Sequence, residues 1–202
     1  MNRTNIEFCD FTWNPIVGCQ IGCSYCWARR MNRQYKFIPS FNIPKFFEER
    51  LTEPYDRWKP AKIFVCSMSD IFSPGIEDRW IKSIIQVAVE NERHTFQFLT
   101  KRPEFYLKYQ QWIPANCWLG TSIDYAHNKH RVDILSSCSC KFTRFVLVEP
   151  LLSDMSAVDF SKIDLLFVGA QTGPGAVIPH KDWINSITHH CITYKENIKS
   201  YL

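Results

Sequence analysis

The sequence predicts an α/β fold: a single domain over residues 1–202, built as a partial (β/α)6-type barrel with a cluster-binding loop after the first strand. Three observations lead there. Short apolar, β-branched or aromatic runs alternate with stretches whose apolar residues recur at helical spacing, the pattern of βαβ units. No Gly-x-Gly-x-x-Gly follows any of those runs, which argues against the rival doubly wound nucleotide-binding sheet. The chain has 202 residues, 46% hydrophobic and 22% charged, enough for one well-packed domain but slightly short for a full eightfold barrel.

The elements follow in order. Residues 6–11 form a weak first strand. Stronger strands are expected at 63–66 (IFVC), 95–99 (TFQFL), 117–121 (CWLGT), 145–148 (FVLV) and 165–169 (LLFVG). Residues 80–91 (WIKSIIQVAVEN) carry apolar side chains at 80, 81, 84, 85 and 88, one face of a helix. Residues 103–111 open on a proline, as a helical first turn tolerates. Residues 125–136 are more polar and suit an exposed helix. Parallel strands in such folds carry their chemistry at their C-terminal ends. That puts residues 67–70, 100–102, 121–124, Glu149 and 171–175 on one face, together with the loop after the first strand.

That loop is the most informative stretch. In "GCQIGCSYCWARR", residues 18–30, Cys19, Cys23 and Cys26 stand in CxxxCxxC spacing with no fourth cysteine or histidine nearby. Structural zinc wants four ligands, usually as two pairs, and Cys138 with Cys140, one residue apart, is an awkward second pair. A CxxC redox pair would leave Cys19 unexplained. Three buried thiols would be unusual in a loop punctuated by glycine. An iron–sulfur cube normally takes four thiolates, so three leave one iron open to a small molecule. The spacing therefore favours a [4Fe-4S] cluster on Cys19, Cys23 and Cys26. Gly18 and Gly22, each directly before a cysteine, relax the backbone where it must curl. Tyr25 is placed to cover the cluster edge or to stack on a bound ligand.

The chain opens without an apolar signal region, and no window supplies the roughly 18 apolar residues of a membrane span, so a cytoplasmic location without membrane contact is expected. Nine cysteines in a reducing compartment are thiols or ligands rather than disulfides. The net charge of +4 permits an anionic partner without demanding one.

The cysteine spacing, with an aromatic before the third cysteine, resembles the radical S-adenosylmethionine superfamily. Over nearly the whole chain, "IEFCDFTWNPIVGC", "FVCSMSDIF", "FQFLTKRPE", "WLGTSID", "RFVLVEPLL" and "FVGAQTGPGA" with "PHKDWI" look like the successive blocks of the phage Gp37/Gp68 family, DUF5131. The resemblance implies a full or partial β/α barrel and S-adenosylmethionine chelated by the open iron. It also implies an external electron donor and a 5′-deoxyadenosyl radical acting on a substrate the family does not specify. Members continue past the point matching "ITYKEN", so the final strand and cap are expected to be short or supplied by another chain.

The same resemblance suggests roles for further residues. Ser67, Ser69 and Asp70 stand where the superfamily often has Gly-Gly-Glu, so Asp70 is a candidate for the methionine amino group; an Asx-type cap is the structural alternative. Thr121 and Ser122, with Asp124, fall where the superfamily contacts ribose and carboxylate, or simply cap a helix. Glu149 ends an apolar strand, where a carboxylate is costly unless it is paired or faces a cleft. Lys101 and Arg102 suit a phosphate or carboxylate, or a solvated turn. Arg29, Arg30, Arg33 and Lys36 form a solvated helix face or a dock for an electron donor or nucleic acid. The phage resemblance points to a nucleotide or nucleic acid as substrate, with a small metabolite or peptide as alternatives. The rival from another class is a non-catalytic nucleic-acid-binding module carrying zinc or an iron–sulfur group.

Overall fold

A computed structural model describes all residues, 1–202. The chain is mixed α/β. Its elements are β1 (Asn2–Arg3), β2 (Phe11–Trp13), β3 (Ile16–Val17), α1 (Trp27–Tyr35), β4 (Lys45–Phe46), β5 (Lys62–Val65), α2 (Asp78–Glu90), β6 (Thr95–Thr100), α3 (Glu104–Tyr109), β7 (Cys117–Ile123), α4 (His130–Ser136), β8 (Thr143–Val148), β9 (Leu165–Val168), α5 (Lys181–Asn185) and β10 (Ile192–Tyr194). Eight strands form one sheet in the order β1-β2-β5-β6-β7-β8-β9-β10, and β3 pairs with β4 in a separate ribbon. The β2–β5, β5–β6, β8–β9 and β9–β10 pairs are parallel, while β1 runs antiparallel to β2. No closed barrel is formed.

The chain divides into two compact units. The first comprises residues 1–100 and 109–118, the second residues 101–108 and 119–202. In the first unit, α2 buries Ile81, Ile84, Ile85 and Ala88 of the face its spacing predicts, and Val87 besides. Trp80 lies outside that set and stacks on Phe46, ring centroids 5.4 Å apart. The core beneath includes Trp13, Ile63, Phe96 and Phe98, all essentially inaccessible. In the second unit, Phe145, Val146 and Val148 of β8 and Leu166 and Val168 of β9 are buried on both faces, as parallel strands covered on both sides require.

Several boundaries move. The strand expected over 6–11 lies instead at β2, Phe11–Trp13, preceded by the short β1, because residues 6–9 turn back through a bond from the Cys9 N–H to the Ile6 carbonyl. The helix expected over 125–136 begins at His130. Tyr125 stays extended and the Ser153 hydroxyl accepts the Ala126 N–H, so residues 126–128 make a 3₁₀ turn instead. The strand expected to stop at Thr121 continues to Ile123, so Thr121 and Ser122 are buried strand residues, not members of the loop after it. The two-residue strands β1, β3 and β4 and the three-residue β10 are too short to carry a periodic signal.

Candidate functional site

The cysteine loop connects β3 to α1 in the first unit, and two segments hold it. The Gly18 N–H donates to the Met68 carbonyl at 3.0 Å and the Cys19 N–H to the Phe41 carbonyl at 2.7 Å. The Ser69 hydroxyl donates to the Gly18 carbonyl at 2.5 Å, and the Gln20 N–H donates to the Ser73 hydroxyl at 2.8 Å. The first cysteine is thus pinned on both sides to the segment that follows β5. That segment turns sharply at Cys66, whose φ of 58° lies in the left-handed region.

At the far end, Cys26 caps α1, its sulfur accepting the Arg29 N–H at 3.4 Å. Arg29 also spans the loop. Its guanidinium donates to Asn42 Oδ1 at 2.5 Å and to the Cys19 carbonyl at 3.4 Å, and lies 5.3 Å from the centre of the Phe41 ring. One residue therefore touches the first and third cysteines. Asn32, buried on the inner face of α1, pairs both ways with the backbone of Ile38: its amide donates to the Ile38 carbonyl at 3.0 Å, and its Oδ1 accepts the Ile38 N–H at 2.9 Å. Val17, Ala28, Ile38 and Phe41 make a small apolar cluster, with Cys19 and Cys26 packed against it.

All nine cysteines are free thiols. Cys9, Cys66, Cys117 and Cys138 are buried, Cys140 and Cys191 are exposed, and Cys19, Cys23 and Cys26 are half-buried. Burial pushes the Cys66 thiol up to about 12 and the Cys138 thiol to about 11. Cys19 is also raised, by burial first. Cys19, Cys23 and Cys26 are thus three free, half-buried thiols on one loop. Their side chains do not converge: the structure gathers no group of three His, Cys, Asp or Glu side chains able to hold a metal ion. The Cys19 sulfur instead accepts the Ile21 N–H at 3.4 Å, as Cys26 accepts its helix N–H.

The serines and acid after β5 have structural partners. The Ser67 hydroxyl donates to Asn14 Oδ1 at 3.1 Å, and the same oxygen accepts the Met68 N–H at 2.9 Å. Ser69 holds Gly18, as above. Asp70 is buried, and its Oδ1 accepts the Phe72 N–H at 3.0 Å and the Thr100 hydroxyl at 2.7 Å. That is the Asx-type arrangement, extended to the end of β6. It brings the C-terminal ends of β5 and β6 together, as their parallel pairing requires. Tyr25 is half-buried beside Cys26.

In the second unit, Glu149 follows β8 and is held by two residues after β10. Lys195 Nζ lies 2.8 Å from Glu149 Oε2, and the Asn197 amide donates to Oε1 at 2.8 Å. These partners satisfy the carboxylate. Sequence reasoning missed them, because Lys195 and Asn197 lie 46 and 48 residues away and only the β9–β10 pairing brings them in. Asp124 lies 3.5 Å from Lys101 Nζ and 3.7 Å from Arg131, and the Ser122 carbonyl accepts from Arg131 at 3.2 Å. Arg102 extends over the Phe105 ring and pairs with Glu104.

No helix is long and apolar enough to cross a membrane. No solved structure matches the chain. One relative is the "Uncharacterized protein MJ0683" of Methanocaldococcus jannaschii, 27% identical over 85 residues. The match covers 39% of this chain and 30% of that protein, so the chain spans well under half of its relative's length. Residues 3–198 match the family model described as "Protein of unknown function (DUF5131)", and with nearly the whole length inside that match, the chain belongs to the DUF5131 family.

Proposed function

We propose that the protein is a radical S-adenosylmethionine enzyme whose loop cysteines, Cys19, Cys23 and Cys26, ligate one [4Fe-4S] cluster. The observation that carries this reading is the loop itself. Three free, half-buried thiols lie within eight residues, on a loop tied to its neighbours at Gly18, Cys19 and Gln20. Cys19, Cys23 and Cys26 would have to turn to a common point to hold the cluster, since metal binding and local folding are coupled. When bound, such a cluster supplies one electron to cleave the sulfonium bond of S-adenosylmethionine, giving a 5′-deoxyadenosyl radical.

The protein's own residues do the rest. Ser69, Ser73 and Arg29 hold the loop at Gly18, Gln20 and Cys19, and Asn14 holds the neighbouring segment at Ser67 and Met68. Tyr25 shields the open side from water. Asp70, oriented by Thr100 and the Phe72 N–H, offers a carboxylate edge to the methionine amino group. Thr121, Ser122 and Glu149 belong to the second unit. The partial-barrel description and the kinship with the phage Gp37/Gp68 proteins belong to the same proposal, as does a nucleotide or nucleic-acid substrate.

The test is anaerobic reconstitution with iron and sulfide. The wild type should gain the broad visible absorbance of a cluster, with about four irons and four sulfides per chain. Replacing Cys19, Cys23 or Cys26 by Ala should abolish it, and replacing Cys140 or Cys191 should not. On reduction the wild type should release 5′-deoxyadenosine. Stoichiometric zinc without sulfide in anaerobically purified protein would refute the proposal in favour of a metal-bearing binding module.

A further inference from the structure

We infer that His94 makes the segment before β5, residues 53–59, an acid-released strap: adding a proton to its ring frees that segment from the body of the first unit. The inference goes beyond the cluster reading and does not depend on it. The strap enters β5 at its N-terminal end, whereas the cysteine loop is tied to the segment that leaves the strand.

Two consecutive residues hold the strap by its backbone. Arg93 donates from Nε to the Arg57 carbonyl at 2.9 Å, and from Nη2 to the Tyr55 carbonyl at 3.1 Å and the Pro54 carbonyl at 3.5 Å. His94 Nε2 meets the same Pro54 carbonyl at 3.1 Å. A carbonyl only accepts, so Nε2 carries the proton and Nδ1 is the bare nitrogen of the neutral ring. That nitrogen is buried with no hydrogen-bond partner, and the residue is 1% exposed. Its ring meets the Phe96 ring edge-on at 6.1 Å, and its own carbonyl accepts the Asn116 amide at 2.9 Å. His189 is the contrast. Its Nε2 meets the Ile163 carbonyl at 2.8 Å and its Nδ1 accepts the Cys191 N–H at 3.1 Å, so both nitrogens are used.

A second proton on His94 has to sit on Nδ1. There it is buried, and it acts against two guanidinium groups, Arg93 beside it and Arg57 on the strap. The Pro54 and Arg57 carbonyls favour the charged ring, but burial outweighs them and holds His94 below the ordinary value of 6.5. The carboxylates on the surrounding elements are placed elsewhere. Glu53 pairs with the Met1 amine, Glu90 with the Tyr55 hydroxyl and the Gln86 amide, and Asp56 and Glu92 are exposed. With the strap lifted, His94 titrates near its ordinary value. Closure is therefore fully favoured above that pH and weakens as pH falls below it. Glu90 is itself lowered from 4.5, first by the Tyr55 hydroxyl, so that bond does not loosen in the same window.

Release has a consequence, because the strap borders two hollows. One, of about 410 Å³, lies against Phe11, whose ring carries the Arg57 guanidinium at 4.1 Å. The other, of about 870 Å³, lies beside α2, between Tyr55 and Val87. Asp56 lines both, so lifting the strap opens one into the other.

Hydrogen–deuterium exchange of the protein as isolated, between about pH 7.5 and 5 and corrected for the intrinsic pH dependence of exchange, tests the strap. The Tyr55 and Arg57 N–H groups, bonded to the Thr52 and Pro54 carbonyls, report it. Their protection should hold steady above about pH 6.5 and fall below it by up to about tenfold per pH unit, the slope of one proton, while α2 keeps its protection. His94→Gln offers Pro54 an N–H that does not titrate, so its strap should stay closed throughout. His94→Ala should be open at every pH, and His189→Gln should behave as wild type. An acid fall that persists in His94→Gln, wild-type protection that ignores pH, or a parallel loss in α2 overturns the inference. The imidazole C–H resonance of His94 checks it without any variant: a midpoint at or above the ordinary value of 6.5 overturns it as well. No arm requires a cluster, so a protein that assembles none refutes the enzyme reading alone, and a strap that ignores pH refutes only the switch.

Discussion

Replacing Gly18 by Ala should destabilise the cysteine loop far more than replacing Gly22 by Ala, although both glycines have positive φ and both precede a cysteine. At Gly18 φ is 104°, outside the left-handed well, so a side chain there carries strain of about 1–3 kcal/mol. Its Cβ would also stand 2.9 Å from Ile38 Cδ1, 3.0 Å from the Phe41 carbonyl oxygen and 3.0 Å from Pro44 Cα. Two of those three atoms are backbone, and the Phe41 oxygen already accepts the Cys19 N–H. Relief requires moving residues 41–44, which adds about 1–3 kcal/mol of overpacking. The total is about 2–6 kcal/mol, enough to lower a urea midpoint by about 1 M or more. At Gly22 φ is 81° and nothing comes closer than 3.9 Å, so only the backbone strain of about 1–2 kcal/mol applies. Urea titration followed by tryptophan fluorescence measures both, and reconstitution of both variants reads the loop directly. Equal midpoints for the two variants would refute the claim that Gly18 is sterically enclosed.

Three further outcomes are expected. Asn32→Ala strands both the N–H and the carbonyl of Ile38 in a buried site, so it should cost about 2–4 kcal/mol by urea titration, whereas Gln34→Ala on the exposed face should stay within about 0.5 kcal/mol; similar values would show that the Asn32 pairing contributes nothing. Lys195→Met leaves Glu149 without its cation and should destabilise by about 2–3 kcal/mol, less than the roughly 3–5 kcal/mol of a fully buried pair because both side chains retain some exposure, and pairing it with Glu149→Gln should recover part of the loss; additive losses would refute the coupling. The folded state holds the Cys66 and Cys138 thiols protonated to about 12 and 11 while the unfolded chain ionises near the ordinary value of 9.0, so their contribution is intact below that value and is lost as pH rises through the folded values; Cys66→Ala should flatten this alkaline fall in stability, and an unchanged slope would contradict it.

The sequence alone determined what local pattern can carry. The apolar spacing of residues 80–91 placed α2 to within two residues at its start and one at its end, because an amphipathic helix writes its buried face at fixed intervals. The runs at 63–66, 95–99 and 165–169 located β5, β6 and β9, because β-branched and aromatic residues favour a pleated, buried surface. CxxxCxxC spacing singled out the loop before any geometry was known, because the number and softness of potential ligands are properties of residue type. Tertiary structure decided everything that depends on partners distant in sequence. It paired Asp70 with Thr100, Ser69 with Gly18 and Glu149 with Lys195, giving structural duties to residues whose types also suit a cofactor. It divided four neighbouring cations on and after α1 into Arg29, folded back over the loop, and Arg30, Arg33 and Lys36, turned outward. It extended β7 past Thr121 to Ile123, burying the Ser122 hydroxyl that local pattern assigns to the following loop. Residue type is local, whereas burial and pairing are fixed only when strands far apart in the chain align. The same serine or arginine therefore becomes scaffold or surface according to contacts that no short stretch of sequence contains.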